Sequence, residues 1–489
     1  MKRNFPIVIF SIILIGIVIF LFIFTKSSVS SFTHDESYTY LNYPHDSFMD
    51  IVSFKQWYSN NHLLNSLFMK FSEQIFGCSE IALRLPNLLL LLVFMAYGFS
   101  LFRKTNQLLA LAMFALLCSN NALIDLFGLA RGYGLSYGFM LMSLYHFIQS
   151  FYKHKTKNII FFHAAALLAV LSHFTLLTFY ATLVLVYNLI VIIDCKFISN
   201  KNYHFLKENK VHAISLLPVI IILYEPIRRL LMNNSFDAGG KNGFYSDTVA
   251  HLVNNSLHSI QLPLFVLIGF QILFTVIVII SFIIIVRIIL SRNETDFHKF
   301  KGLIVTNFLI IFMSIAIILL HYIFGSDYPI DRFSVFLYPI FIVHFGYLLY
   351  YFINIGYEKI ALTVAVSLGL ISAVSFGLKA DLYSYPEWKY DMETKNMIQK
   401  LVTYQEKNDA GVDKIKLGTN WVFEPTINYY RQTQGIDWLI PADRNGITEN
   451  DDYYYIFKDE LKQLNPADYE VIFEFDEINT VLLKNNKQQ

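Results

Sequence analysis

Charge is what this chain lacks most: Asp, Glu, Lys and Arg make up 15% of its 489 residues, where an average soluble domain carries about a quarter. A water-soluble enzyme of this length is excluded on that ground. Cysteine is nearly absent. Cys78, Cys118 and Cys195 lie far apart with no CxxC spacing, so the chain has neither a disulfide framework nor a thiolate zinc site. Internal repeats and low-complexity stretches are also missing. The formal net charge of +1 says little as a sum, because in lipid the distribution of charge along the chain sets its orientation. No nucleic-acid partner is expected.

What is abundant is apolar surface, 55% of residues hydrophobic and 17% aromatic, and it comes in long runs. After Met1-Lys2-Arg3-Asn4 the stretch Phe5 to Phe24 has about the 20 residues needed to cross a ~30 Å hydrocarbon core. The flanking basic residues and Ser28-Val29-Ser30-Ser31 also suit a signal peptide, but signal h-regions are shorter, about 7 to 15 residues, so an uncleaved anchor is expected. Further runs lie at Leu85 to Phe102, Gln107 to Asp125, Gly132 to Phe151, Ile159 to Ser172, Phe174 to Ile193 and Val211 to Leu231. Gln261 to Val286, Gly302 to Phe324, Phe333 to Ile353 and Ile360 to Leu378 complete about eleven expected crossings. A cytoplasmic N-terminus then places Arg103-Lys104, Lys153 to Lys157, Lys196 to Lys210, Arg287 to Lys301 and Lys359 on the cytoplasmic side, as the positive-inside rule asks. An odd count leaves the C-terminus outside.

From Lys379 onward the composition changes, with more than half of the acidic residues and no run long enough to span. Val471 to Phe475 and Thr480 to Lys484 around Asp476-Glu477-Ile478-Asn479 predict a hairpin, with further strands at Lys414 to Leu417 and Tyr453 to Phe457. Met392 to Gln405 and Pro425 to Gln432 predict helices. The expected organisation is therefore a polytopic α-helical membrane domain over 1–378, with a long first outer loop at 25–84, followed by a small soluble extracytoplasmic α/β domain over 379–489.

A loop of that length is commonly functional or disordered, and its aromatic content argues against disorder. Near its start stands Thr33-His34-Asp35-Glu36-Ser37-Tyr38. Adjacent side chains diverge, so Asp35 and Glu36 do not share a proton, but one can abstract a proton while the other positions a substrate or metal. The same side receives His62 in Asn60-Asn61-His62, Arg84 in Leu83-Arg84-Leu85-Pro86, Arg131 and Tyr133 in Ala130-Arg131-Gly132-Tyr133, His173 in Ser172-His173-Phe174, and Arg332 in Asp331-Arg332-Phe333. Each alone reads as an interfacial anchor or a satisfied polar contact. Together, guanidinium groups and paired carboxylates at one membrane surface meet the needs of sugar transfer from a polyprenyl phosphate. The leaving phosphate lies at headgroup level, where arginines can stabilise its charge, and a carboxylate must take the acceptor's proton. Tyr and Phe can supply flat faces for sugar rings. Glu225 at helical spacing from Arg228 and Arg229 reads either as local pairing or as a headgroup contact.

These motifs resemble the GT-C superfamily, and within it glycosyltransferase family 39, the bacterial relatives of protein O-mannosyltransferases and of the lipid A aminoarabinose transferase. The order matches: an acidic pair after the first span (Asp35, Glu36), His62 later in the loop, Phe76-Gly77-Cys78-Ser79-Glu80 leading to Leu83-Arg84-Leu85-Pro86, then Ala130-Arg131-Gly132-Tyr133. The resemblance implies an inverting transferase at the outer face of a bacterial inner membrane, with Asp35 as base, Glu36 assisting, and Arg84, Arg131 and Arg332 on the donor phosphate. It implies partners in a polyprenyl-phosphate sugar, membrane lipid and an envelope acceptor such as a glycolipid, glycan or protein. Some relatives use a divalent cation and others none, and no compact ligand spacing here decides the metal. Where the family has His-Pro-Pro, His62 is followed by Leu63-Leu64. The rival class, a flippase or transporter of lipid-linked saccharide, should carry ionisable residues at mid-membrane, yet Gln261 to Val286 and Ile360 to Leu378 hold none. A noncatalytic scaffold is the third.

Overall fold

The computed structural model describes residues 5–56, 58, 60–152, 155–200, 205–232, 239–256, 263–407, 414–448 and 451–486. Lys2, Arg3, Lys153, residues 201–204 and Gln261, all used in the topology argument, lie outside the described residues. The helices in chain order are α1 (Phe5–Val29), α2 (His34–Asn42), α3 (Phe48–Val52), α4 (Leu63–Phe76), α5 (Glu80–Phe102), α6 (Gln107–Cys118), α7 (Asn121–Ile124), α8 (Tyr133–Gln149), α9 (Lys155–Ser172), α10 (Leu177–Ile193) and α11 (Phe205–Met232). They continue with α12 (Ala250–Ser256), α13 (Leu264–Ser291), α14 (Glu294–Lys299), α15 (Lys301–Phe324), α16 (Leu337–Asn354), α17 (Glu358–Leu378), α18 (Thr394–Lys407) and α19 (Glu424–Thr433).

Among the described residues eight helices are long and apolar enough to cross a membrane, α1, α5, α10, α11, α13, α15, α16 and α17, and α6 with 121–128 forms a ninth only as a pair bent by 65°. The expected count was about eleven. The difference lies in α8 and α9, 17 and 18 residues long. Both are largely buried and their polar groups meet inside the bundle, as where Ser143 Oγ donates to the Phe162 carbonyl at 2.9 Å and His146 Nδ1 meets Asn158 at 2.9 Å. A helix whose polar atoms bond to protein need not be apolar all round. Some of the turns expected on one side lie next to one another at one end of the bundle. There Lys301 pairs with Asp194 at 3.0 Å and Asn106 bonds Glu358 at 3.1 Å.

The opposite, capped end carries α2 to α4 and the C-terminal strands. The first loop is shorter than 25–84, because α1 runs on to Val29 and α5 begins at Glu80. Thr33 starts α2 through a reciprocal capping box with Glu36, which satisfies two donors the helix leaves open. Pro86 inside α5 has no N–H to offer the Ala82 carbonyl four residues back; Ser72 Oγ of α4 donates to that oxygen instead, at 2.5 Å, and so ties α4 to α5.

In the C-terminal part β1 (Leu417–Thr419), β2 (Tyr453–Phe457), β3 (Tyr469–Phe475) and β4 (Thr480–Asn485) form one sheet in the order β1-β2-β4-β3. β1 runs parallel to β2 and the other pairs are antiparallel. All four strands and both helices lie within a few residues of their predicted places. Their core does not close on itself. Tyr429, Tyr430, Phe423, Leu417 and Leu482 share one apolar cluster with Phe32, Tyr40, Met69, Leu83 and Ala130 of the membrane part. Residue 379 is a boundary of composition, and packing runs straight across it.

Candidate active site

Successive residues on a helix point about 100° apart, and α2 sends its two carboxylates to opposite fates. Glu36 is fully buried. It accepts from Arg84 Nε at 2.8 Å and from a terminal nitrogen of Arg84 at 2.7 Å, and from the Ala130 N–H at 2.6 Å. Arg84, equally buried, spends its remaining donors on the carbonyls of Ser27, Ser30 and Ser31 at 2.8 to 3.1 Å. The Ser27 carbonyl lies in the last turn of α1, which cannot bond it itself, and Ser30 and Ser31 directly follow the helix. Neither side chain reaches a surface on which a substrate could lie. The expected roles of Glu36 in positioning substrate and of Arg84 in holding phosphate give way to a staple that joins α1, α2, α5 and the 130 turn.

Asp35 faces the other way, toward two guanidinium groups. Arg332 lies 3.3 Å from its Oδ2 and Arg131 3.8 Å. Burial alone would raise the Asp35 pKa, but Arg131 and Arg332 outweigh it and hold the carboxyl below its ordinary range. Each arginine is itself pinned. Arg131 donates to Thr39 Oγ1 at 2.7 Å and to the Asn60 carbonyl at 3.2 Å; Arg332 donates to the Tyr133 hydroxyl at 2.9 Å, pairs with Glu387 and lies 4.8 Å over the Trp388 ring. Burial pushes the Glu387 carboxyl up even against Arg332.

Beside the arginines the rings of His62, His173 and Tyr133 form a stack, with His62 and His173 4.7 Å apart and Tyr133 and His173 4.6 Å apart. Gly132 makes this possible: its φ of +62° favours glycine, and a Cβ there would stand 2.3 Å from the Ser172 carbonyl and 3.0 Å from His62. Burial, and then the charge of Arg131, pull both histidines down, His62 well below its usual value and His173 to about 3. They are neutral rings. Both ring nitrogens of His62, Nε2 of His173, Nε of Arg131 and the Tyr43 hydroxyl are buried without a hydrogen-bond partner from the protein, so this is where polar groups remain to be satisfied by a ligand or by water.

On its far side Arg332 borders a cavity of about 290 Å³ whose lining includes Phe22, Leu126, Val335, Lys379 and Trp388. Within it Lys26 pairs with Asp125 at 2.9 Å. Asp35, Arg131, Arg332, Tyr133, His62 and His173 thus converge, although Asp35 and Arg332 are 297 positions apart. Sequence reading missed Glu387, Trp388 and Tyr43. The first two sit in Tyr385-Pro386-Glu387-Trp388, and that acidic, aromatic tetrapeptide just beyond the last span was the available signal. Glu225 takes bonds from both Arg228 and Arg229 at 2.6 to 2.8 Å, as local pairing predicted. Among the described residues no three His, Cys, Asp or Glu side chains are grouped to hold a metal ion, and a carboxylate flanked by two guanidiniums does not fit a cation.

No family model and no curated protein matches this sequence. Solved structures do. ArnT from Cupriavidus metallidurans, in the apo state and bound to undecaprenyl phosphate, aligns with a TM-score of 0.54 at 10% identity, covering 97% of this chain and 98% of that one. The chain is similar to ArnT in fold, and its long apolar helices agree with a multi-pass membrane protein.

Proposed function

We propose that the protein transfers a sugar from a polyprenyl-phosphate donor to a cell-envelope acceptor, with the capped end facing out of the cytoplasm of a bacterial inner membrane. The fold of ArnT, one of whose structures holds undecaprenyl phosphate, supports the donor class. The observation that carries the reading is the Asp35 carboxylate held between Arg131 and Arg332 at one end of the bundle. Asp35 is the base: it takes the acceptor's proton as the acceptor oxygen bonds the anomeric carbon, and the bond from that carbon to the phosphate oxygen breaks. Attack from the face opposite the phosphate inverts the centre. Arg131 and Arg332 receive the leaving phosphate, because planar guanidiniums bind phosphate oxygens with charge-assisted bonds. As they turn from Asp35 to the phosphate, the carboxylate loses its stabilising charges and becomes a stronger base. The neutral rings of His62 and His173 and the Tyr133 hydroxyl lie beside the donor.

A flippase would need a polar path through the bilayer. The interior does hold His163, bonded to Tyr180 at 2.6 Å and to His212 at 2.8 Å, but these groups satisfy one another. The test is to incubate the purified protein with radiolabelled polyprenyl-phosphate sugars. Wild type should release or transfer label, and Asp35→Asn should do so at least about a hundredfold more slowly, the usual worth of a general base. Equal rates would remove Asp35 from the chemistry, and no turnover of any donor would move the protein to the flippase class.

A further inference from the structure

Where the sheet unit meets α2, an aromatic surface faces solvent beside His34 and Tyr38. Trp421 is 55% exposed, unusual for so large an apolar ring in a well-packed unit. Its ring meets His34 edge-on at 5.7 Å. The Arg444 guanidinium lies 6.0 Å from the Trp421 ring and 5.7 Å from that of Tyr38 and is paired with Glu424 at 3.1 Å. His34 Nδ1 meets the Val422 carbonyl at 2.7 Å, so it donates there, and Nε2 is the ring's second hydrogen-bonding atom.

We infer that Trp421, Tyr38, Arg444, Glu424 and His34 form the acceptor subsite, and that it takes a saccharide. A pyranose ring offers an apolar C–H face to a flat aromatic and hydroxyls at its edge, and here one flat ring is bordered by a cation, a carboxylate and an imidazole. Because Arg444 and Glu424 neutralise each other, the surface selects hydroxyls rather than a charged ligand. The position relative to the chemistry is fixed by α2: Tyr38 lies one turn from Asp35 on the same helix, and its ring touches Tyr43 at 6.1 Å. The buried Tyr43 hydroxyl, which has no partner, continues that line inward. A sugar stacked on Trp421 therefore points along α2 toward the base.

The inference rests on the transferase reading for Asp35, but its test does not. Full-length protein, without donor, is titrated with free trisaccharides of N-acetylglucosamine, mannose and glucose up to about 10 mM, following the heat of binding by calorimetry, which does not depend on Trp421 as a reporter, and with the same trisaccharides on a lipid anchor in phosphatidylethanolamine vesicles. At least one should bind. Trp421→Ala should weaken it about tenfold and Trp421→Tyr much less, the worth of one stacked ring, whereas Phe473→Ala, on the exposed face of β3, should change nothing. A preference for the free or the anchored form identifies a soluble glycan or a glycolipid as the source. Binding by none of the three, or binding indifferent to Trp421→Ala, overturns the subsite. Failure of the transferase reading would appear instead as no donor turnover by a protein that still binds saccharide.

Discussion

Glu36 and Arg84 show what a charged pair costs and gives when no water reaches it. Removing one partner of a buried pair strands the other, at roughly 3 to 5 kcal/mol. Arg84→Ala also reopens the carbonyls of Ser27, Ser30 and Ser31. We therefore expect Arg84→Ala and Glu36→Ala to lower the melting temperature in detergent sharply, while Asp35→Asn lowers it less, because Arg131 keeps Thr39 and the Asn60 carbonyl and Arg332 keeps Tyr133 and Glu387 as partners; equal losses for Asp35→Asn would make Asp35 a second structural carboxylate. Asp35 also sets a pH signature. Its folded pKa is depressed, so the arginine pairing contributes stability above the unfolded value and loses it as pH falls through the folded one. His62 and His173 are depressed too. Profiles of kcat/KM, which report the free enzyme, should then be flat over about pH 5 to 8 as far as these groups are concerned. Profiles of kcat report the donor complex, where the phosphate takes the arginines, and their acid limb should lie at higher pH. Coincident limbs would show that the arginines never leave Asp35.

Among elements, the turn between α7 and α8 does the most to assemble the site, since it carries Arg131 and Tyr133 on either side of Gly132. Alanine at 132 would need a left-handed backbone, at about 1 to 2 kcal/mol, and would also place its Cβ against the Ser172 carbonyl. Gly132→Ala should therefore destabilise by more than about 2 kcal/mol and reduce donor turnover even in the folded fraction, read by thermal unfolding beside the label assay. A variant with wild-type stability would show that the turn can relax. Legibility also differs by element. Tyr453 to Phe457 shows as a strand because β-propensity and period are local, and the spans show because apolar length is local. The division of labour between Asp35 and Glu36 is not local: it depends on Arg84, 48 positions away, and on Arg332, whose approach only the folded chain reveals. α8 and α9 fall short on length or apolar composition, and some of their polar atoms find partners inside the bundle, which no local rule can see.

For the whole molecule the question is whether 379–489 is an independent domain, as its composition suggests, or one wall of the site. The shared cluster with Phe32, Tyr40, Met69 and Leu83 favours the wall. So do individual bonds: Asp391 Oδ2 accepts from the His34 N–H at 2.6 Å, and the Tyr430 hydroxyl accepts from the Phe32 N–H at 2.8 Å. Tyr430 also bonds Glu80 at 3.1 Å, and Lys395 reaches the same carboxylate at 2.8 Å. A fragment of 379–489 would expose the rings that now cover α2, and is expected to show no cooperative unfolding transition by circular dichroism. Within the full chain Tyr430→Phe is the gentler probe, because the ring stays and only the hydroxyl leaves. It abandons the buried Phe32 N–H, at about 1 to 3 kcal/mol, and loosens the start of α2, where Asp35 must hold its angle to two arginines. Lower stability together with slower sugar release is the expected result. Lower stability with an unchanged rate at temperatures where the protein stays folded would mean that the sheet unit braces the bundle without shaping the site.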